Sequence, residues 1–240
     1  MAATAFVSPG DVIPEQSLPK SKKGTLTLGP GLRHIPPTTI SATTAGTFHT
    51  DPRKAALWIE HPHGRYLPSV GDLVVAQVHH SSAETWHCAI TPHTPFALLP
   101  QLAFEGASKK TRPKFESEDL VYARVSKVVK GDDVELECVN PATGKADGMG
   151  PLKGGMVFDV SPAFTRRLMM DGGKGGVVVL EMIGEKVKFE VAVGRNGRVW
   201  VDSGSAAQTV MLGRLLRGAD EERWDVETQK REVKKALKGV

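Results

Sequence analysis

Aromatic side chains are scarce in this chain, at 6% of 240 residues, while glycine occurs 25 times. One large core would need bulky rings more than turn formers, so this composition fits several small, loop-rich modules. Cysteine is scarcer still. Cys88 and Cys138 stand alone, with no Cys-x-x-Cys spacing and no clustered histidine ligands accompanying them, so no metal site and no cofactor are expected. Both lie in apolar strand-like runs and read as small buried residues rather than a disulfide. No stretch approaches 18 consecutive apolar residues, and the first residues lack a charged segment followed by an apolar core. That excludes a membrane-spanning helix and a secretory signal, and gives an intracellular, soluble, reducing setting as the expectation. A charge excess of one sign is nearly absent too. Against 31 basic residues stand 27 acidic ones, for a net charge of +4 and a pI near 9.0. This leans only slightly toward a polyanionic partner, so the placement of cations matters more than their number.

What is present is a series of short, mostly β-branched and aliphatic runs: Gly71–His79, Glu84–Thr91, Pro95–Leu102, Asp119–Val129 and Asp132–Val139. Turn formers separate them, with Gly131-Asp132-Asp133 as a hairpin signal, and the pattern predicts a small closed barrel. In the first run Leu73, Val75 and Val78 are assigned to one side and Val74 and Ala76 to the other. Between the third and fourth runs lies Phe104–Pro113, Phe-Glu-Gly-Ala-Ser-Lys-Lys-Thr-Arg-Pro. It packs three cations, Lys109, Lys110 and Arg112, into four residues. Such a cluster is commonly a solvated surface. Gly106 and Pro113 frame this one as a loop held in place, which suits a phosphate backbone at a barrel mouth.

The first 64 residues are rich in turn formers, with strand-like runs at Gly24–Leu28, Leu32–Ile35, Thr39–Gly46 and Ala55–Glu60. None is long enough to bury a core alone, so the segment is expected to lean on another domain or subunit. Lys20–Lys23 reads as an exposed loop tip. Asn140–Pro151 reads as a boundary. Beyond it a mixed module is predicted: a strand at Gly155–Val160 and a helix capped by Ser161-Pro162 that runs to Met170 and ends at Gly172–Gly176. Strands follow at Val177–Met182 and Val187–Val193 around a Gly184-Glu185 turn, then another at Arg198–Asp202. Next comes a helix capped by Ser203 or Ser205, carrying Ala207, Val210, Met211 and Leu215 on one face and stopped by Gly218. Asp225–Lys238 forms a last charged helix. The predicted architecture is mainly β plus α/β, with modules at 1–64, 65–148 and 149–240.

Gly194-Arg195-Asn196-Gly197 matches the Gly-x-x-Gly pattern with which KH domains clamp nucleotides. There the loop joins two helices, whereas here strand-like runs flank it, and Asn-Gly is the strongest type I′ hairpin dipeptide. A tight turn packed against a neighbour is the physical reading.

With these features together, the chain resembles the family of exosome component 3, also called ribosomal RNA-processing protein 40, a cap-subunit family of the eukaryotic RNA exosome. The likeness covers nearly the whole chain. It rests on Val7-Ser-Pro-Gly-Asp-Val12, Leu28-Gly-Pro-Gly-Leu32, Arg65-Tyr-Leu-Pro68 with Gly71-Asp72, Phe104–Pro113, Gly148-Met-Gly150 and Gly194–Val201. The resemblance implies an N-terminal β-rich domain, a five-stranded S1-type (OB-fold) barrel and a C-terminal KH-like domain. It also implies a seat on a ring of ribonuclease-PH-like subunits beside other cap subunits, no catalysis, and nuclear, nucleolar and cytoplasmic pools. RNA would thread past Lys109, Lys110 and Arg112, including precursors of ribosomal RNA, toward a separate nuclease. Gly194, Asn196 and Gly197 would form the turn at the S1–KH interface. No membrane partner is implied.

Two other classes are weighed beside it. A free-standing S1/KH RNA-binding factor would expose the Gly194–Gly197 loop. A hydrolytic nuclease needs converging carboxylates or a nucleophile with a base. Asp132-Asp133 sits in a turn, Asp220-Glu221-Glu222 begins a solvated segment, and His61, His63, His79 and His80 have no acidic partners at ligand spacing. No enzyme activity is expected.

Overall fold

In the computed structural model the described residues are 6–19, 25–52, 55–60, 64–92, 94–129, 131–170 and 176–238. The Lys20–Lys23 tip, His61, His63 and Gly172–Gly175 lie outside them. The chain divides into two compact units, Met1–Gly64 and Arg65–Val240.

The first unit holds strands β1 (Phe6–Val7), β2 (Thr27–Leu28), β3 (Leu32–Ile35), β4 (Thr39–Ala42), β5 (Gly46–Asp51) and β6 (Ala56–Glu60). They form a four-stranded sheet in the order β1-β5-β6-β2 and a β3-β4 hairpin. The expectation that this segment has no core of its own is corrected. Val7, Ile13, Ile40, Ala42, Phe48, Leu57 and Ile59 are buried together. Each strand is too short to make a core, but pairing pools one or two side chains from each.

The second unit begins with the barrel: β7 (Leu73–Ser81), β8 (Thr85–Ala89), β9 (Ala97–Pro100), β10 (Leu120–Lys127) and β11 (Glu135–Glu137). The strands run in the order β11-β9-β8-β7-β10, and a β11–β10 pairing closes the circle. Alternation fills the interior, with Trp86 and Cys88, Ala97 and Leu99, and Val121, Ala123 and Val125 all buried in one cluster. Both cysteines are free and buried there. Val78 joins Val74 and Ala76 inside, not Val75 as the sequence suggested, because period-two alternation holds to that residue. Beyond it the register shifts in a bulge between Val78 and His80. The Asn140–Pro151 boundary is also corrected at its end. Gly150–Leu152 is a strand, β12, which pairs with β10 on the barrel sheet.

The remainder is a three-stranded antiparallel sheet, β13 (Met156–Asp159), β15 (Arg198–Ser203) and β14 (Phe189–Gly194), in that spatial order. Against it pack α1 (Pro162–Leu168), α2 (Val179–Gly184), α3 (Ala206–Glu221) and α4 (Val226–Ala236). Ser161 caps α1, its Oγ accepting from the Phe164 N–H. Three expectations fail here. Val177–Met182 is not a strand: Val179 and Ile183, four apart, are both fully buried as helix neighbours. Buried Gln229 of α4 fixes the start of that helix, its Oε1 accepting from Val178 N–H at 2.9 Å and its Nε2 donating to Gly176 O at 2.8 Å. Tertiary partners thus override β propensity, and Gly184 ends a helix rather than turning a hairpin. Gly218 does not stop α3 either; the helix passes through it to Glu221, and its missing Cβ leaves room for the Trp224 ring. Finally, the buried face of α3 is Thr209, Leu212, Gly213, Leu215, Leu216 and Ala219, so of the expected face Leu215 is buried, Val210 and Met211 are half-buried and only Ala207 is exposed. Ser205 takes the N-cap position without a side-chain cap bond.

Candidate nucleic-acid interface

The Phe104–Pro113 loop leaves the barrel after β9 and is anchored by rings at both ends. Phe104 and Phe115 each pack edge-on against Trp86 of β8, at 5.8 and 4.9 Å between centroids, and lie 5.9 Å from each other. Burial of these three rings fixes where the loop begins and returns. Its interior is ordered by local hydrogen bonds. Thr111 Oγ1 donates to Gly106 O at 3.1 Å and accepts from Ser108 N–H at 3.0 Å, while Arg112 N–H donates to Ser108 O at 2.9 Å. Gly106 has φ +62°, the left-handed turn for which glycine is suited. At its base Glu105 Oε2 accepts from Ala146 N–H at 2.7 Å. Lys109 and Lys110 are exposed at the turn and Arg112 is half-buried. None of the three makes an ion pair among the described residues. Their charge is therefore available to a phosphate, as uncompensated cations on a framed loop.

The Gly194–Gly197 turn lies elsewhere on the barrel. It joins β14 to β15, with Gly194 paired to Arg198 and Gly197 at φ +80°. Pairing of β7 with β8 begins only at Gln77, so the first half of β7 lacks a strand on that side. The hairpin tip fills the gap. Asn196 Nδ2 donates to Val75 O at 2.9 Å and to Ile90 O at 2.6 Å, and Oδ1 accepts from Val75 N–H at 3.2 Å. The Arg195 N–H donates to Leu73 O at 2.7 Å, and its guanidinium lies 3.6 Å from Asp72. Asp72 also accepts from Tyr66 OH at 2.8 Å; burial, then that carboxylate, pushes the Tyr66 phenol well above its ordinary range. Tyr122 OH donates to Val193 O, and burial raises its pKa to about 12. Val75, Ala192 and Trp200 close an apolar contact between barrel and sheet. The loop that a free-standing KH clamp would expose is thus packed, with Asn196 buried.

The sequence had singled out the basic loop and the tight turn. The Trp86–Phe104–Phe115 anchor and the Tyr66–Asp72–Arg195 network were missed, since each joins residues far apart in the chain. A ring cluster of exposed His79 and His80 with half-buried His87 and Phe96 was signalled only by the His79-His80 pair.

Comparison with known proteins places this architecture. Family models match residues 66–150 (exosome complex component RRP40, S1 domain), 155–207 (KH domain) and 26–65 (exosome complex exonuclease Rrp40 N-terminal domain). The exosome complex component rrp40 of Schizosaccharomyces pombe is 36% identical, over 90% of this chain and 88% of its own length. The chain belongs to the RRP40 family. Further relatives agree: RRP40 of Drosophila melanogaster is 33% identical over 92% of this chain and 91% of its own, and that of Saccharomyces cerevisiae 31% over 89% and 88%. A crystal structure described as an exosome complex RNA-binding protein shares the fold at TM-score 0.57 and 21% identity, over 73% of this chain and 97% of its own. An S1-type five-stranded barrel followed by a KH-like α/β domain is therefore the architecture of the second unit.

Proposed function

We propose that this chain is a cap subunit of the RNA exosome that acts without chemistry of its own. It stabilises the ring of ribonuclease-PH-like subunits, beside the other cap subunits, and guides RNA into the channel for exonucleolytic processing from the 3′ end. Ribosomal RNA precursors are among its substrates. The observation that carries the reading is family membership along nine tenths of the chain, joined to a framed loop whose three cations have no acidic partner among the described residues. Lys109, Lys110 and Arg112 contact phosphates, and Gly194, Asn196 and Gly197 hold barrel to KH-like domain. The acids once weighed for catalysis have other work. Both oxygens of Asp220 accept from Ser161 at 2.6 Å, and Asp132 lies 3.6 Å from Lys127.

Two experiments test this. A tagged chain recovered from its own cells at moderate salt should bring stoichiometric ring-type subunits, and recovery alone or with RNA only would overturn the assignment. In the assembled complex, Lys109→Ala/Lys110→Ala/Arg112→Ala should shorten the protected RNA and lower the salt slope of binding by about 2, at roughly 0.7 per phosphate on a single strand. Unchanged protection would remove the loop from the path. The purified chain should leave labelled RNA intact in magnesium. Nuclear, nucleolar and cytoplasmic pools belong to the same proposal and are read by imaging the tagged chain.

A further inference from the structure

Only two asparagines occur in the chain, Asn140 and Asn196. Asn140 precedes Pro141, whose nitrogen carries no hydrogen. Asn196 precedes Gly197, and glycine, with no Cβ, leaves its amide nitrogen open to the neighbouring side chain. No other following residue makes an asparagine as reactive. In a free chain the Gly197 nitrogen attacks Asn196 Cγ. The N–Cγ bond forms, the Cγ–Nδ2 bond breaks, and Nδ2 leaves as ammonia with the proton that Gly197 N gives up. Water then opens the five-membered imide at either carbonyl. The products are aspartate and its isomer, in which the backbone runs through the side chain. No oxidant, metal or partner is required.

In the folded chain both reacting groups are held in other bonds. The Asn196 side chain is turned to the barrel, where Nδ2 donates to Val75 O at 2.9 Å and Ile90 O at 2.6 Å and Oδ1 accepts from Val75 N–H at 3.2 Å. The attacking Gly197 N–H donates to Gly194 O at 3.1 Å, and Gly197 O accepts from Val160 N–H at 2.8 Å. Asn196 is also buried, away from the water and base that the reaction needs. The residues that seat the hairpin are thus the reactive pair itself. We propose that Asn196-Gly197 is a site of spontaneous deamidation guarded by its docking on the barrel, so that opening of the junction becomes irreversible once the reaction has occurred. The products enforce this. Aspartate would set a carboxylate against the Val75 and Ile90 carbonyl oxygens. The isomer would lengthen the backbone of a turn with no spare room, since even a Cβ on Gly194 would collide with Asn196 Oδ1 and Val75 N. Either product keeps the hairpin from reseating.

The test keeps the full chain in mildly alkaline buffer with and without urea and follows the peptide containing Asn196 by mass. A reaction that proceeds only from the open junction is slowed by the opening equilibrium. Three side-chain hydrogen bonds, each worth about a factor of five, should make native deamidation about a hundredfold slower than in urea. Equal rates would overturn the proposal. Tyr122→Phe removes only the bond to Val193 O and should speed native deamidation about fivefold. An unchanged rate would place the protection in the hairpin itself rather than in its docking, and would also overturn it. Irreversibility is read on a chain aged in urea and refolded. Its deamidated fraction, separated by the added negative charge, should lack amide-exchange protection at Val75, while the unreacted fraction of the same sample regains it. Recovery of protection by the deamidated fraction would refute the latch. None of these measurements involves RNA, so their outcome leaves the RNA-guiding reading untouched.

Discussion

Replacing Asn196 by alanine removes three hydrogen bonds at once: two to the Val75 strand and one to Ile90 O. All lie in a buried seam where water cannot readily substitute. A net worth of about 1 kcal/mol per bond gives a loss of about 3 kcal/mol, and the unpaired Val75 N–H and Ile90 carbonyl act to raise it. For a unit of this size the melting temperature should fall by roughly 6–12 °C, at about 2–4 °C per kcal/mol. The apolar contact of Val75, Ala192 and Trp200 remains, so the modules should stay folded while their junction loosens. Urea unfolding of full chain and variant gives the energy, and amide exchange at Val75 gives the location. Asn196→Asp keeps the shape but turns a carboxylate toward two carbonyl oxygens, and should fall below alanine in stability. A loss under about 1 kcal/mol for Asn196→Ala, or unchanged exchange at Val75, would refute the argument that this side chain stands in for a missing strand.

At Gly213 in α3 an added Cβ would lie within the Phe158 ring. The overpacking cost of about 1–3 kcal/mol should exceed the roughly 1 kcal/mol of helix propensity gained, so Gly213→Ala should lower the denaturant midpoint. Burial pushes the Cys88 thiol up from 9.0 to about 12, and Cys138 is raised by burial, then by Cys88 and Glu137. Both folded thiols hold their protons more tightly than the unfolded ones, so this contribution is complete below about pH 9 and is lost as pH rises toward 12. Native protein near pH 8 should resist a thiol reagent until urea is added; rapid native labelling would contradict the burial.

The barrel was legible because short apolar runs are set apart by turn formers and, in β10, alternate strictly: Val121, Ala123 and Val125 are buried and their neighbours are not. The Ser161-Pro162 cap was equally plain, since its chemistry is local. The α2 helix was not legible. Val177–Met182 carries β-branched residues whose helical state depends on Gln229, some fifty residues later. Nor could Gly218 reveal that it makes room for Trp224 rather than ending a helix. The N-terminal core escaped because no single strand contains it. In the candidate site the cations are contiguous and could be read directly. The rings depend on a bulge that shifts register by one residue, which composition and periodicity do not encode.

The two devices sit at opposite ends of one strand. β7 spans nine residues whereas β8 spans five. The first part of β7, paired with β10 but not with β8, takes the KH-like hairpin at Leu73 and Val75, and its far end carries His79 and His80 beside the returning limb of the basic loop. Five residues from Val75 to His80 cover roughly 16 Å of extended strand. A nine-residue strand buried on both faces over its first part is a stiff connector, so the hairpin locks the strand whose far end is tied to the returning limb of the basic loop. The two functions should therefore separate in mutants. Asn196→Ala should cost stability while leaving the salt slope of RNA binding unchanged. Lys109→Ala/Lys110→Ala/Arg112→Ala should lower that slope while leaving the unfolding free energy within about 0.5 kcal/mol of the parent, as surface substitutions away from caps and buried networks do. Loss of both properties in either variant would mean that seam and loop are one cooperative element, and the strand between them would no longer be a passive spacer.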